Sequence, residues 1–151
     1  MYQSEGYVWP AFVARAKDVT RRNWNARTAK AYVKGVVFDA YDTMPYAGGV
    51  QIGRARVTHD AYLEKLVDCP DEDYVGEGFA WLNQHPHCIP KAAKKEVWAK
   101  NNAARHSFDM WRWSGGEVWV VRFEIIHIED SAVERLDALL KAGSSPLLPG
   151  E

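Results

Sequence analysis

Residues 118–128 read Val-Trp-Val-Val-Arg-Phe-Glu-Ile-Ile-His-Ile, and this stretch decides the fold. Every second side chain of a β-strand lies on the same face. Trp119, Val121 and Phe123 therefore share one apolar face, and Arg122 projects from the opposite one. This alternation, together with the β-branched and aromatic residues, predicts a long β-strand that packs on a core along one side.

The sequence around this strand predicts the remaining elements. Ser114-Gly115-Gly116, which precedes it, is typical of a turn. We predict further strands at 36–41 and 50–58, a weaker edge strand at 17–22, and helices at 26–33, 71–83, 91–104 and 131–142. Strands and helices do not alternate regularly as they do in βαβ proteins. The pattern therefore predicts an α+β fold, in which a small β-barrel has helices packed outside it.

Length and composition are typical of one globular domain. The chain has 151 residues, of which 47% are hydrophobic, enough for a single core. We take residues 1–142 as the domain and 143–151 as a flexible C-terminal tail. No apolar run reaches the roughly 18–20 residues of a membrane helix, and the N-terminus lacks the layout of a signal peptide. With only Cys69 and Cys88 present, we expect a cytoplasmic protein with free thiols and no membrane partner.

The first candidate for a functional site is residues 17–22, Lys-Asp-Val-Thr-Arg-Arg. In an extended segment Thr20 and Arg22 point the same way, and Lys17 can fold over that face. A threonine hydroxyl becomes a nucleophile when a neighbouring base, such as an uncharged lysine, takes its proton. Arg21 and Arg22 are cations that can hold an anionic group. Taken alone, however, this spacing is more typical of an exposed edge strand with solvated charges.

The second candidate is Glu77, which lies between Gly76 and Gly78. A glycine inside a helix costs roughly 1 kcal/mol relative to alanine. Two glycines within the predicted helix 71–83 therefore suggest that another part of the molecule, or a ligand, approaches the backbone closely there. The alternative is a helix that breaks at this point and leaves Glu77 in solvent.

Two further clusters carry weaker signals. His85-Pro86-His87-Cys88 lacks the ligand spacing of a zinc site, so we expect an ordinary loop and no bound metal. Segment 101–113 contains Trp111 and Trp113, which can stack on nucleic-acid bases, although such tryptophans more often pack a helix onto a sheet. The Walker, dinucleotide-binding and esterase motifs are absent from the sequence.

Taken together, these segments resemble an ASCH domain, a β-barrel family related to PUA domains. Residues 16–24, Ala-Lys-Asp-Val-Thr-Arg-Arg-Asn-Trp, are similar to the family's G-[RK]-K-x-x-[TE]-x-R element. The resemblance continues through 48–58, 63–66, 77–79 and 118–126. It departs from the family pattern at 14–16, where Ala-Arg-Ala replaces the usual glycine before the lysine, and at Gly35-Val36, where Gly-Asp is common. The stretch 83–116 is also longer than in compact members.

The resemblance implies a function as well as a fold. ASCH and related domains are associated with RNA and modified nucleosides. One bacterial branch hydrolyses the N4-acetyl group of acetylcytidine with a lysine, a threonine and a glutamate. Lys17, Thr20 and Glu77 stand at the matching positions, and Thr20 favours this branch because other members have glutamate there. No cofactor or metal is expected for this chemistry.

The interpretation that follows is an amidohydrolase acting on an N-acylated pyrimidine nucleoside. Thr20 attacks the acyl carbonyl, Lys17 accepts its proton, and Glu77 relays protons to water or the leaving amine. We expect the substrate to be bound by Arg21, Arg22, Trp24, Trp111 and Trp113. The alternative is a non-catalytic module that binds a modified base or single-stranded RNA in the same cleft. A metal-independent ribonuclease is a third, weaker possibility.

Overall fold

The computed structural model describes residues 1–88 and 103–144. Within them, six strands form a curled sheet and six α-helices pack around it. The strands are β1 (Tyr2–Ser4), β2 (Val19–Arg22), β3 (Val37–Tyr41), β4 (Gln51–Val57), β5 (Tyr62–Lys65) and β6 (Glu117–Ile128). The helices are α1 (Trp9–Val13), α2 (Ala26–Ala29), α3 (Asp73–Gly76), α4 (Phe79–Gln84), α5 (Ala103–Trp113) and α6 (Asp130–Ser144).

β6 is the central strand because its two halves pair with different neighbours. Its second half pairs with β4, and its first half lies between β2 and β5. In the first half, Val19 of β2 is opposite Arg122. The register of β4 against β6 shifts between Arg54 and Ala55, and an irregularity of this kind increases the local twist of a sheet. The extra twist favours the half-barrel shape that the sheet adopts.

The two ends of the sheet meet at the open side of the half-barrel. The strand order is β1-β3-β4-β6-β2, with β5 also paired to β6, so β1 and β2 are the end strands. A guanidinium nitrogen of Arg22, the last residue of β2, donates a hydrogen bond to the carbonyl of Ser4, the last residue of β1. The end strands therefore approach each other closely, and the main cavity of the protein lies between them.

An aromatic core fills the inside of the curl. Phe12 of α1, Phe38 of β3 and Phe123 of β6 are all buried. The rings of Phe38 and Phe123 meet edge to face with centroids 5.5 Å apart, a favoured arrangement for aromatic pairs. Leu136 of α6 packs against the same cluster. Each buried side chain of this size contributes about 1.5–3 kcal/mol, so this core holds α1 and β6 in fixed positions.

The α+β fold predicted from the sequence, a barrel-like sheet with helices outside it, is confirmed. β3, β4 and β6 begin and end within one residue of the predicted strands. β2 forms over the last four residues of the predicted edge strand 17–22. α6 begins one residue before the predicted helix 131–142 and ends two residues after it. Gly143, predicted to begin the tail, is therefore still helical, and residues 145–151 lie outside the described residues.

Two predicted helices differ from the structure, and a third is largely untested. The helix predicted at 26–33 forms only over α2. The helix predicted at 71–83 is divided into α3 and α4 because Gly78 has a φ of 95°, which no helix accommodates. The prediction for 91–104 lies almost entirely outside the described residues, and α5 begins at its end. Among the described residues, no helix is long and apolar enough to cross a membrane.

Candidate active site

A cavity of about 650 Å³ lies between β1 and β2. Ligand pockets in proteins typically enclose about 300–1,000 Å³, so a nucleoside-sized molecule fits here. Seven of the eight residues predicted for the site line this cavity: Lys17, Thr20, Arg21, Arg22, Trp24, Glu77 and Trp111. The structure thus brings together residues that lie far apart in the sequence.

Gly76 and Gly78 explain how Glu77 reaches this position. A Cβ atom on Gly76 would lie 2.5 Å from Oδ1 of Asp18, and one on Gly78 would lie 2.9 Å from the Cβ of Ala11. The amide of Asp18 also donates to the carbonyl of Gly76 over 2.9 Å. Only glycine permits so close an approach, and the positive φ of Gly78 requires it as well. The prediction of a close backbone approach beside Glu77 is therefore confirmed.

Lys17 and Glu77 form a buried ion pair. The two residues are 4% and 5% exposed, and Nζ of Lys17 lies 3.3 Å from Oε1 of Glu77. Nζ also donates to the carbonyl of Glu77 over 3.3 Å and to the carbonyl of Val19 over 2.8 Å. These three acceptors match the three N–H groups of a charged lysine. The structure therefore shows a lysine side chain that is held in place from three directions.

Arg21 connects Glu77 to two further carboxylates. Its Nη1 donates to Oε2 of Glu77 over 2.9 Å, its Nη2 to Oδ2 of Asp73 over 2.6 Å, and its Nε to Oε1 of Glu64 over 3.0 Å. Arg122 adds two hydrogen bonds to Asp73, of 2.8 and 3.1 Å. Three cations and three carboxylates thus form a continuous, mostly buried network, which we call the paired cluster: Lys17, Arg21, Arg122, Glu64, Asp73 and Glu77.

The paired cluster fixes the charge of Asp73. Burial of this carboxyl disfavours its charged form, but hydrogen bonds from Arg122 and Arg21 outweigh that effect and lower its pKa. Tyr7, which also lines the cavity, has a pKa shifted in the opposite direction. Burial, and then the negative charge of Glu77, raise the pKa of the Tyr7 hydroxyl. Tyr7 is therefore a neutral hydroxyl within electrostatic reach of Glu77 at physiological pH.

Thr20 is the predicted nucleophile and lies in the middle of β2. It is 1% exposed, pairs in register with Val121 of β6, and contributes to the cavity wall between Lys17 and Arg22. Because β2 is anchored to β6 along its whole length, the position of Thr20 is set by the sheet. The cavity therefore presents a buried hydroxyl, an ammonium and a carboxylate together.

The predicted aromatic residues separate into two groups. Trp24 stacks on Tyr32 with ring centroids 4.6 Å apart, and Trp111 stacks on Phe79 at 6.2 Å. Both tryptophans are partly buried against the core and still line the cavity. Trp113, at the end of α5, is 66% exposed and does not belong to the cavity wall. Two of the three predicted tryptophans are thus placed to contact a bound ligand.

Gln3 and Glu5 are cavity residues that the sequence analysis missed. Both are 3% exposed, and none of their four side-chain polar atoms has a hydrogen-bond partner among the described residues. Nη2 of Arg22 lies 3.6 Å from Oε2 of Glu5, which is beyond hydrogen-bonding distance. β1 has only three residues, too few for a recognisable alternation, so the sequence gives no sign that these two side chains are buried.

The described residues contain no group of three or more side chains that could hold a metal ion. His85 instead stacks on Trp81, and its Nδ1 lies 2.8 Å from the carbonyl of the same residue. Cys69 and Cys88 are buried free thiols. Burial raises the pKa of Cys69 to about 11, so this thiol is protonated and unreactive at neutral pH.

No protein-family model matches the chain, and no curated protein matches it. Among solved structures, it is similar to the crystal structure of protein EF3133 from Enterococcus faecalis V583, described with the family model DUF984. The two sequences are 12% identical. The similarity covers 86% of this chain and 80% of the other, with a TM-score of 0.48.

Proposed function

We propose that the protein is an amidohydrolase of the ASCH type, which removes an acyl group from a modified pyrimidine nucleoside such as N4-acetylcytidine. The observation that carries the proposal is that Lys17, Thr20 and Glu77 line one cavity, in which Lys17 donates a hydrogen bond to Glu77, 60 positions away in sequence. A buried hydroxyl beside a lysine and a carboxylate is a set of groups suited to nucleophilic catalysis.

In the proposed reaction, Thr20 is the nucleophile, and Lys17 and Glu77 transfer protons. Oγ1 of Thr20 attacks the acyl carbonyl carbon, and its proton passes to Nζ of Lys17. The bond between carbonyl carbon and nitrogen then breaks, and the leaving nitrogen takes a proton delivered through Lys17 and Glu77. Water hydrolyses the acyl-threonine ester in the second half, which releases the carboxylic acid and restores Thr20.

Lys17 has to be uncharged before it can accept the proton of Thr20. In the arrangement observed, all three of its N–H groups have acceptors, one of which is Oε1 of Glu77 at 3.3 Å. This contact is the path by which the lysine passes a proton to the carboxylate.

The size and walls of the cavity support a nucleoside as substrate. A cavity of about 650 Å³ accommodates a base and a sugar together. Trp24 and Trp111 offer aromatic surface for a planar base. Arg22 is partly exposed to the cavity, with 28% of its side chain accessible, and can donate to a substrate oxygen. Arg21, by contrast, has its donors committed to carboxylates and acts by holding Glu77.

Incubation of the purified protein with N4-acetylcytidine tests the proposal, with cytidine and acetate followed by chromatography. We expect the wild-type protein to form both products and the Lys17→Ala variant to lose activity by about 100-fold or more, the usual range for a missing general base. Lys34→Ala, a change at an exposed lysine outside the cavity, is the matched control and retains wild-type activity. Failure of the wild-type protein to release acetate would refute the proposal.

A second candidate, a non-catalytic module that binds a modified base or single-stranded RNA, is favoured by one observation. The three hydrogen bonds of Lys17 describe a satisfied structural lysine as well as a resting catalytic one. This candidate predicts affinity without turnover, and affinity that persists in Thr20→Ala. Calorimetric titration of Thr20→Ala with N4-acetylcytidine and with a short single-stranded RNA, beside the turnover assay, separates the two candidates.

A further inference from the structure

Gln3 and Glu5 line the cavity with side-chain polar atoms that have no hydrogen-bond partner among the described residues. The side-chain amide of Gln3 and both carboxylate oxygens of Glu5 have no hydrogen-bond partner among the described residues, although each residue is only 3% exposed. Nη2 of Arg22 forms an ion pair with Oε2 of Glu5 at 3.6 Å, beyond hydrogen-bonding distance. Both residues line the same cavity as Lys17, Thr20 and Glu77.

Unpaired buried polar groups are rare because each one costs about 1–3 kcal/mol, and more if it is charged. Folded proteins keep such groups where a ligand, a water molecule or a reaction uses them. Two such side chains line one cavity, Gln3 in β1 and Glu5 directly after it, and a ligand that supplies their hydrogen bonds explains them best.

We propose that Gln3 and Glu5 bind the sugar of the nucleoside, so that the site selects ribonucleosides over 2′-deoxyribonucleosides. This inference rests on the proposed function. The cis-diol of ribose presents two adjacent O–H donors, one for each oxygen of the Glu5 carboxylate, and acidic residues bind ribose hydroxyls in this way in dinucleotide-binding folds. The acylated cytosine base has one N–H donor, so it cannot satisfy both oxygens.

The spacing along β2 supports this placement. Arg22 lies two residues beyond Thr20, roughly 6–7 Å along an extended strand, and contacts Ser4 and Glu5 at the far end of the cavity. A nucleoside with its acyl group at Thr20 therefore extends its sugar toward Glu5.

Calorimetric titrations with cytidine and 2′-deoxycytidine test the inference. Since one hydrogen bond to a charged group contributes about 1.5–3 kcal/mol, we expect wild-type protein to bind cytidine about tenfold to 100-fold more tightly than 2′-deoxycytidine. The Glu5→Gln variant loses most of this preference, and Gln3→Met weakens cytidine binding about fivefold through the loss of one neutral hydrogen bond. Glu134→Gln, an exposed change on α6, is the control and keeps the wild-type preference.

Thermal unfolding of the same variants separates ligand binding from a structural role. Because the Glu5 carboxylate accepts no hydrogen bond among the described residues and its ion pair with Arg22 is long, at 3.6 Å, we expect Glu5→Gln to leave the melting temperature unchanged or to raise it. Equal affinities for the two nucleosides, a preference that survives in Glu5→Gln, or no binding of either nucleoside overturns the inference. A lower melting temperature for Glu5→Gln with an unchanged preference identifies Glu5 as a structural residue and overturns it too.

Cytidine is the product of the proposed reaction, so these titrations do not depend on turnover. If N4-acetylcytidine is not hydrolysed but cytidine is still preferred, the proposed activity fails and the sugar site stands. If N4-acetylcytidine and its 2′-deoxy form are hydrolysed with equal kcat/KM and bound equally, the sugar site fails and the activity stands.

Discussion

The two ends of the cavity differ in how their polar side chains are satisfied. At one end, Lys17, Arg21 and Glu77 line the cavity and belong to the paired cluster, which joins three cations to three carboxylates through hydrogen bonds of 2.6–3.3 Å. At the other end, the side chains of Gln3 and Glu5 have no hydrogen-bond partner among the described residues, and Glu5 has only an ion pair with Arg22 at 3.6 Å. The first group is satisfied within the protein, whereas the second keeps hydrogen-bonding capacity that a ligand can use.

This difference distinguishes residues that stabilise the fold from residues that are available to bind a ligand. A buried ion pair that loses one member leaves the other charge unpaired, so the members of the paired cluster depend on one another. The carboxylate of Glu5, by contrast, accepts no hydrogen bond among the described residues and lies 3.6 Å from Nη2 of Arg22, so we expect the fold to depend on it less. Lys17 and Glu77 belong to the paired cluster and also line the cavity, so they are the residues at which a structural role and the proposed catalytic role coincide.

The largest effect is expected for Asp73→Asn. The change leaves Arg21 and Arg122 with an uncharged partner, and loss of one member of a buried ion pair costs about 3–5 kcal/mol. Urea denaturation measures the loss. Glu124→Gln removes an exposed ion pair with Arg56 and is the control, with an expected cost of about 0–1 kcal/mol. Similar losses in the two variants would show that the paired cluster is not a special source of stability.

Acid weakens the same end of the cavity. The pKa of Asp73 is lower in the folded protein than its unfolded value of about 3.9, so its contribution is complete above that value. As pH falls below about 4 and through the folded pKa, this contribution is lost. Urea denaturation across this range is expected to show a steeper fall in the free energy of unfolding for the wild-type protein than for Asp73→Asn. Parallel curves would contradict the assignment.

A smaller loss is expected for Gly78→Ala. Alanine at position 78 would have to keep an unfavourable backbone φ of 95°, and its Cβ would lie 2.9 Å from the Cβ of Ala11. Together these two strains cost about 1–3 kcal/mol. Gly115→Ala is a matched control, because its φ is also positive, at 84°, but nothing lies within 4 Å of the added atom. If Gly78→Ala lowered the free energy of unfolding no more than Gly115→Ala does, the close approach beside Glu77 would not constrain the segment between α3 and α4.

The smallest effect is expected at the unpaired end. Gln3→Met replaces a buried amide that has no hydrogen-bond partner in the described structure with an apolar side chain of similar length. Removal of such a group is close to neutral or stabilising, so we expect the free energy of unfolding to stay within about 0.5 kcal/mol of wild type or to rise. A clear loss of stability in this variant would show that Gln3 is a structural residue and would remove the contrast between the two ends.

The sequence predicts the long strands well and the short elements poorly. On the apolar face predicted for residues 118–128, Val121 and Phe123 are buried in the core, but Trp119 is only partly buried. Val118 and Val120, on the opposite face, are buried too, so the alternation predicts the strand but not a single buried side. In β4, the alternation of Arg54 and Arg56 with buried neighbours is clear. β1 and α1 are too short for a period to show, and their burial depends on contacts with distant strands. The sequence shows a glycine at position 78, where the predicted helix 71–83 is interrupted. Its positive φ and the close packing of Ala11 and Lys17 around it are visible only in the structure.

Some residues of the candidate site could likewise be predicted from the sequence, and others could not. Lys17, Thr20 and Glu77 could be placed together because they match an ordered family pattern, and the two glycines beside Glu77 were an independent signal. The carboxylates that hold Arg21 were not predicted, because Asp73 and Glu64 look like ordinary surface acids in the sequence. Which charges are paired depends on tertiary distances, and local spacing does not report them.

The most direct test of the central claim compares deacetylation of N4-acetylcytidine by wild-type protein, Thr20→Ser and Thr20→Val. Val is close to Thr in shape but lacks the hydroxyl, whereas Ser keeps the hydroxyl and loses a methyl group. Our account predicts turnover by wild-type protein, retained activity in Thr20→Ser, and a loss of about 1,000-fold or more in Thr20→Val while that variant stays folded. Undiminished release of acetate by folded Thr20→Val, or none by wild-type protein, would contradict it.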